Sequence, residues 1–283
     1  MTHTIGVFDS GVGGLTVLRA LIQRFPQAQF VFLGDTARLP YGSKSRRTIA
    51  RYAAQSAQFL VREQGAEFLV IACNTASALA LDAIQDAVPV PVLGVIEPGA
   101  SAARAASRSG DVLVIATDAT VQSHAYSSAC RARGLRAIEK ACPLLVPLVE
   151  EGWTDHPVTA DVIRIYLEEL SAQAAAEGLD PDTLVLGCTH YPLLRPLISR
   201  AVSHRIRVID SAEAAAEAAA LIFTQQDPSG STHPQADGGT MVEIAPQTTL
   251  RCFATDSVEK FERLGSRFLN RPVGKVELVD LGG

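Results

Sequence analysis

Residues 68–75 read Phe-Leu-Val-Ile-Ala-Cys-Asn-Thr, and residues 183–190 read Thr-Leu-Val-Leu-Gly-Cys-Thr-His. Each segment is an apolar, β-branched run, then a small residue, then a Cys followed by side chains that hydrogen-bond. A run without polar alternation predicts a strand buried on both faces, as in a parallel sheet. Cys73 and Cys188 then fall at the carboxyl ends of two strands, where open α/β sheets bind ligands. A single Cys after an apolar run is commonly a packing residue, but the duplication argues for a shared task. Two thiols at equivalent places in two half-structures suggest two acid/base groups facing one small substrate from opposite sides. That arrangement suits moving a proton from one face of a carbon to the other.

Working outward, strands and helices alternate. Strands are expected at 4–8, 29–33, 67–72 and 90–95, and helices at 14–24, 45–64 and 76–87. The series then restarts: Asp111–Ala116 resembles Thr4–Phe8, Leu135–Lys140 resembles Gln29–Leu33, and Thr183–Gly187 resembles Phe68–Ala72. The two cysteines are 115 residues apart and the first strands 107. This predicts an α/β fold of two pseudo-symmetric lobes, each a mostly parallel sheet flanked by helices, with the active site in the interlobe cleft. One continuous doubly wound sheet is the alternative. Turn residues at Glu97-Pro98-Gly99 place the boundary there, and the Ala-rich helix 212–222 crosses back. The expected division is 1–97 plus 211–283 for the first lobe and 98–210 for the second. Gln225–Gly239 reads as a surface loop, with Cys252–Asp256 and a helix at 257–269 completing the first lobe.

Composition narrows the function classes. The 283 residues are 47% hydrophobic and 19% charged, with a net charge of −5, which predicts a packed globular core. The acidic balance, with Arg spread along the chain and no dense basic run, argues against a nucleic-acid surface. No apolar run is long enough for a membrane helix, and the first residues lack a signal peptide's pattern. Five Cys without a CxxC fit free thiols in a reducing cytoplasm. Cys130, Cys142 and Cys252 are expected to be packing residues.

The first strand runs into Phe8-Asp9-Ser10-Gly11-Val12-Gly13-Gly14-Leu15. Its amides, opening a helix, are placed to hold an anion. Thr16 stands where a dinucleotide fingerprint needs its third glycine, and no Gly-Lys-Ser/Thr follows, so a carboxylate is a better guest than a pyrophosphate. Asp9 at a strand end can orient a base or meet an ammonium group. The amides and side chains of Asn74, Thr75 and Thr189 are candidates to grip a carboxylate, and Thr117 and Thr120, which mirror Asp9 and Ser10, to bind the substrate's other end. Tyr41 and Gly42 sit in a turn that reaches the cleft, and Glu151 is a candidate second orienting carboxylate. Competing uses of the thiols fail on spacing. A phosphatase loop needs Arg where Leu79 and Leu194 stand, and zinc needs tighter clusters of Cys and His, so no metal is expected. His190, two residues after Cys188, leaves a Cys/His hydrolase open. Pyridoxal phosphate needs a Schiff-base lysine, and none of Lys44, Lys140, Lys260 and Lys275 sits in a convincing motif, so no cofactor is expected.

Five segments together resemble the cofactor-independent glutamate racemases: Ile5–Leu15 (IGVFDSGVGGL), Gly34–Gly42 (GDTARLPYG), Ile71–Ala78 (IACNTASA), Gly94–Gly99 (GVIEPG) and Leu186–Leu194 (LGCTHYPLL). They span most of the first 200 residues in the family's order. The resemblance implies interconversion of L- and D-glutamate, the latter for bacterial peptidoglycan. It implies that Cys73 works on the D isomer with Asp9 in support, and Cys188 on the L isomer with Glu151 and His190 in support. It further implies that Ser10, Tyr41, Gly42, Asn74, Thr75 and Thr189 hold the substrate, and that the protein is a cytoplasmic homodimer. The His after Cys-Thr is similar to the glutamate branch rather than the aspartate branch. An aspartate or hydantoin racemase of the same superfamily, and a non-catalytic amino-acid-binding protein, are the alternatives.

Overall fold

The computed structural model describes residues 3–226 and 248–282. The chain runs β1 (Thr4–Asp9), α1 (Leu15–Arg24), β2 (Gln29–Gly34), α2 (Arg46–Arg62), β3 (Phe68–Ile71), α3 (Asn74–Leu79), α4 (Leu81–Ala87), β4 (Val92–Gly94) and α5 (Ile96–Ala106). It continues through β5 (Asp111–Ala116), α6 (Asp118–Gln122), α7 (Ala125–Arg131), β6 (Arg136–Ala141), α8 (Leu145–Glu150), α9 (Pro157–Ala176), β7 (Thr183–Gly187), α10 (Arg195–Ala201) and β8 (Arg207–Asp210). It ends with α11 (Ser211–Gln226), β9 (Thr249–Ala254), α12 (Val258–Leu269) and β10 (Val276–Leu278).

Two separate sheets form, which removes the single-sheet alternative. The first has the order β10-β9-β2-β1-β3-β4, the second β6-β5-β7-β8. Among the described residues every strand pairing is parallel. The order β2-β1-β3-β4 thus recurs as β6-β5-β7-β8. In the first sheet Phe8 pairs with Ile71; in the second Ala116 pairs with Gly187. Continued one or two residues past the strands, these registers set Ser10 beside Cys73 and Thr117 beside Cys188 at matching strand ends, with Asp9 one residue before Ser10. β3, β5 and β7 are buried throughout, as a sheet with helices on both faces requires. Each fully buried Val, Leu or Ile in them contributes about 1.5–3 kcal/mol.

Helix patterns follow the same logic. In α12 the buried residues Phe261, Leu264, Gly265, Phe268 and Leu269 recur at helical spacing and form one apolar stripe, which packs on α1. α11 crosses back from the second sheet and packs against both α1 and α5. Its buried face is Ala212, Ala215, Ala216 and Ala219, small side chains that let the helices come close.

Three expectations change. The helix expected at 76–87 is two helices, broken at Ala80 (φ −135°), and it starts earlier because the Cys73 sulfur caps it. The turn expected at Glu97-Pro98-Gly99 is the first part of α5, where proline's missing N–H costs nothing. Gln225–Gly239 begins inside α11, and its residues 227–239 lie outside the described residues.

Candidate active site

Both thiols stand where a buried strand ends. Cys73 follows β3 directly after Ala72 and caps α3, its sulfur accepting the Ala76 N–H at 3.4 Å. Ser10 Oγ lies 3.3 Å from the same sulfur. Cys73 is 5% exposed and Cys188 4%. Burial, reinforced by the neighbouring Asp9 carboxylate, pushes the Cys73 thiol up to about 12. Asp9 is itself raised by burial, against the opposing charge of His190 and nearby amides. Its Oδ2 accepts the Gly11 N–H at 2.9 Å, and its Oδ1 is buried without a hydrogen-bond partner among the described residues.

Cys188 has different company. Its sulfur is 4.0 Å from His190 Nδ1, which is also 3.3 Å from Thr189 Oγ1. His190 Nε2 lies 3.3 Å from Glu150 Oε1, and Lys260 Nζ, from α12, reaches Glu150 Oε2 at 3.4 Å. The imidazole packs edge-on against Phe268. Burial alone lowers His190, but its bonds to Cys188 and Glu150 outweigh that and carry it up to about 10. Glu150 is held low, chiefly by its bond to His190. Four groups therefore line up: the Lys260 ammonium, the Glu150 carboxylate, the His190 imidazolium and the Cys188 sulfur. One thiol faces a carboxylate and the other an imidazolium.

The carboxylate on His190 is Glu150, which corrects the expectation for Glu151. Glu151 lies one residue further on, past the end of α8, and is exposed. One residue turns a helix by about 100°, so only one of two adjacent glutamates can face the imidazole.

Between the lobes, Thr75 Oγ1 is 3.1 Å from Thr117 Oγ1 and 3.3 Å from Thr120 Oγ1, and those two are 2.9 Å apart. Thr16 Oγ1 donates to the Thr189 carbonyl at 2.9 Å. Gly13 is glycine because a Cβ there would stand 2.3 Å from Thr189 Oγ1 and 2.6 Å from the His190 ring. Asn74 accepts a hydrogen bond from the Tyr126 hydroxyl at 2.7 Å, and its Nδ2 is buried without a partner among the described residues. Asp9, Ser10, Cys73, Asn74 and Thr75 thus meet Thr117, Thr120, Cys188, Thr189 and His190. Tyr41 differs from expectation: it is buried, and its hydroxyl donates to Asp35 at 2.6 Å. Gly42 is exposed, opposite Ala119 across the cleft mouth. Sequence reasoning passed over Glu150, Lys260 and Tyr126. Only Glu150 carried a signal, as the neighbour of Glu151. Among the described residues no group of three or more His, Cys, Asp or Glu side chains is arranged to hold a metal ion.

The sequence profile of the Asp/Glu/Hydantoin racemase family matches residues 5–219. The chain belongs to that family. Among its relatives in the Asp/Glu/Hydantoin racemase family is the glutamate racemase of Koribacter versatilis, 54% identical over 99% of this chain and 98% of that protein. Glutamate racemase isoform RacE1 from Bacillus anthracis superimposes with a TM-score of 0.85 at 34% identity, covering 99% of this chain and 98% of the other. The glutamate racemase of Francisella tularensis, solved with D-glutamate, gives 0.83 at 32% identity with the same coverage. The two-lobed racemase architecture is therefore shared along the whole chain.

Proposed function

We propose that this racemase interconverts L- and D-glutamate by proton transfer between two thiols, without a cofactor, and supplies D-glutamate for peptidoglycan. The observation that carries the reading is the pairing of two buried cysteines at equivalent strand ends, one beside Asp9 and the other beside His190. The similarity to glutamate racemases along the full chain supports glutamate as the substrate.

An amino-acid α-proton is very weakly acidic, so the carbanion needs oriented donors and exclusion of water. The Cys188 thiolate, with the His190 imidazolium as counter-charge, takes the α-proton of L-glutamate. The Cys73 thiol, held protonated by burial and Asp9, gives its proton to the opposite face. The products are D-glutamate, a Cys188 thiol and a Cys73 thiolate, and the reverse reaction exchanges the roles. Glu150 holds His190 charged and oriented, and Lys260 backs Glu150. Ser10, Asn74, Thr75, Thr117, Thr120 and Thr189 supply the donors for the substrate's two carboxylates. Gly42 stands at the mouth of the cleft opposite Ala119, while Tyr41 packs behind the first-lobe wall with its hydroxyl on Asp35.

The lobe division 1–97 plus 211–283 and 98–210 belongs to this proposal, supported by the strand membership of the two sheets. So do a homodimer and a cytoplasmic location. Among the described residues no helix is long and apolar enough to cross a membrane.

The test is purified protein with L-glutamate in D2O and no added cofactor, following optical rotation and deuterium at Cα together. Rotation decaying to zero with deuterium entering Cα is the expected result. Folded, reduced protein that exchanges neither enantiomer overturns the substrate assignment, and aspartate and hydantoins become the next substrates to assay.

A further inference from the structure

The Tyr126–Asn74 contact joins the two lobes at the thiols' immediate neighbours. Tyr126, in α7 of the second lobe, is fully buried. One edge of its ring lies against Gly187, the residue before Cys188, where a Cβ would come within 2.9 Å of Cε2. Its hydroxyl donates to Oδ1 of Asn74, the residue after Cys73, at 2.7 Å. Burial raises the phenol and keeps it a donor. An amide side chain has one acceptor end and one donor end. With Oδ1 taken by Tyr126, the end left over is Nδ2, which is buried and has no partner among the described residues. A buried amide donor left unpaired is costly, and an acceptor arriving with the ligand relieves that cost.

We propose that Tyr126 is a positioning residue: its hydroxyl fixes the Asn74 amide with the NH2 group turned into the cleft, where it donates to a substrate carboxylate. The inference rests on the reading of Asn74 as a substrate-holding residue. Tyr126 touches no reacting atom and acts only through that amide. Without the hydroxyl the amide is free to turn, and the opposite orientation sets a carbonyl oxygen against the anionic substrate.

The experiment is a double-mutant cycle of Tyr126→Phe and Asn74→Ala, with kcat and KM measured from both enantiomers and a thermal melt for each variant. The phenylalanine fills the same slot. The expected result for Tyr126→Phe is a KM about tenfold higher for both enantiomers, with kcat falling much less. In the Asn74→Ala background the same change adds nothing to KM, because its target is gone. Additive effects overturn the inference, as does an unchanged KM in Tyr126→Phe. A normal KM in Asn74→Ala alone overturns instead the reading of Asn74 as substrate-holding, so the two failures are distinct. A crystal structure of the wild-type protein with D-glutamate gives a second check that needs no variant. A substrate carboxylate within hydrogen-bond distance of the amide atom turned away from Tyr126 is expected, and its absence overturns the inference.

Discussion

Replacing Glu150 with Gln tests the charge alignment behind Cys188 without changing its shape. The His190–Glu150 pair is set at 3.3 Å, and the imidazole is mostly buried, with its side chain 11% exposed. A hydrogen bond to a charged group contributes about 1.5–3 kcal/mol and a neutral one about 1 kcal/mol. Glutamine keeps an acceptor, so the swap removes on the order of 1–2 kcal/mol, or about one pK unit from His190. The sign follows from the pairing. His190 is raised to about 10, so its positive charge is present below that value and lost as pH rises through it. In Glu150→Gln the loss comes about one unit lower, and the alkaline limb of kcat/KM moves down with it. At neutral pH His190 keeps its charge in the variant, so kcat/KM falls there by much less than it does on the alkaline limb. Substrate and product are mirror images with an equilibrium constant of one, so kcat/KM falls by the same factor from L- and from D-glutamate. Circular dichroism of the reaction in both directions, from neutral into alkaline pH, measures all of this. Glu151→Gln serves as the control and leaves the profile in place. An alkaline limb that stays put in Glu150→Gln, or moves in Glu151→Gln, refutes the alignment.

Cys73→Ala and Cys188→Ala each lower racemisation by about three orders of magnitude or more, while the far-UV spectrum and melting point show a retained fold; full activity in either removes the two-thiol mechanism. Gly13→Ala drives a methyl group into Thr189 and the His190 ring, an overpacking cost of about 1–3 kcal/mol. Its melting point drops by about 2–4 °C for each of those, and activity falls because the Cys188 side is displaced; a variant as stable and active as the parent shows that the lobes are not in contact there.

The strands and their order along the chain were legible because burial on both faces leaves long apolar runs, as at 68–72 and 183–187. The thiols were legible because they end those runs and recur. Legibility failed where helix phase or a distant partner decides. The adjacent pair Glu150 and Glu151 reads the same in sequence, and only the end of α8 settles which one meets His190. Tyr126 lies in a seven-residue helix, and its partner Asn74 is 52 residues away. Tyr41 reads as a cleft residue until the fold brings Asp35 under its hydroxyl. Pro98 reads as a breaker, yet it sits in the first turn of α5, where it fits.

The unequal company of the two sulfurs has a consequence for the empty enzyme. In the proposed mechanism, one turnover from L-glutamate leaves the proton on Cys188 and the charge on Cys73, so the protein released is a protonation isomer of the one that started. That isomer places an anion in a buried site beside Asp9, the arrangement that burial and the carboxylate disfavour. It must shed this state by trading protons with solvent, or by taking up D-glutamate and running backwards. The return journey, made with no substrate bound, is therefore part of the catalytic cycle. When substrate is plentiful in one direction, it sets a ceiling on turnover that no improvement in substrate binding can lift.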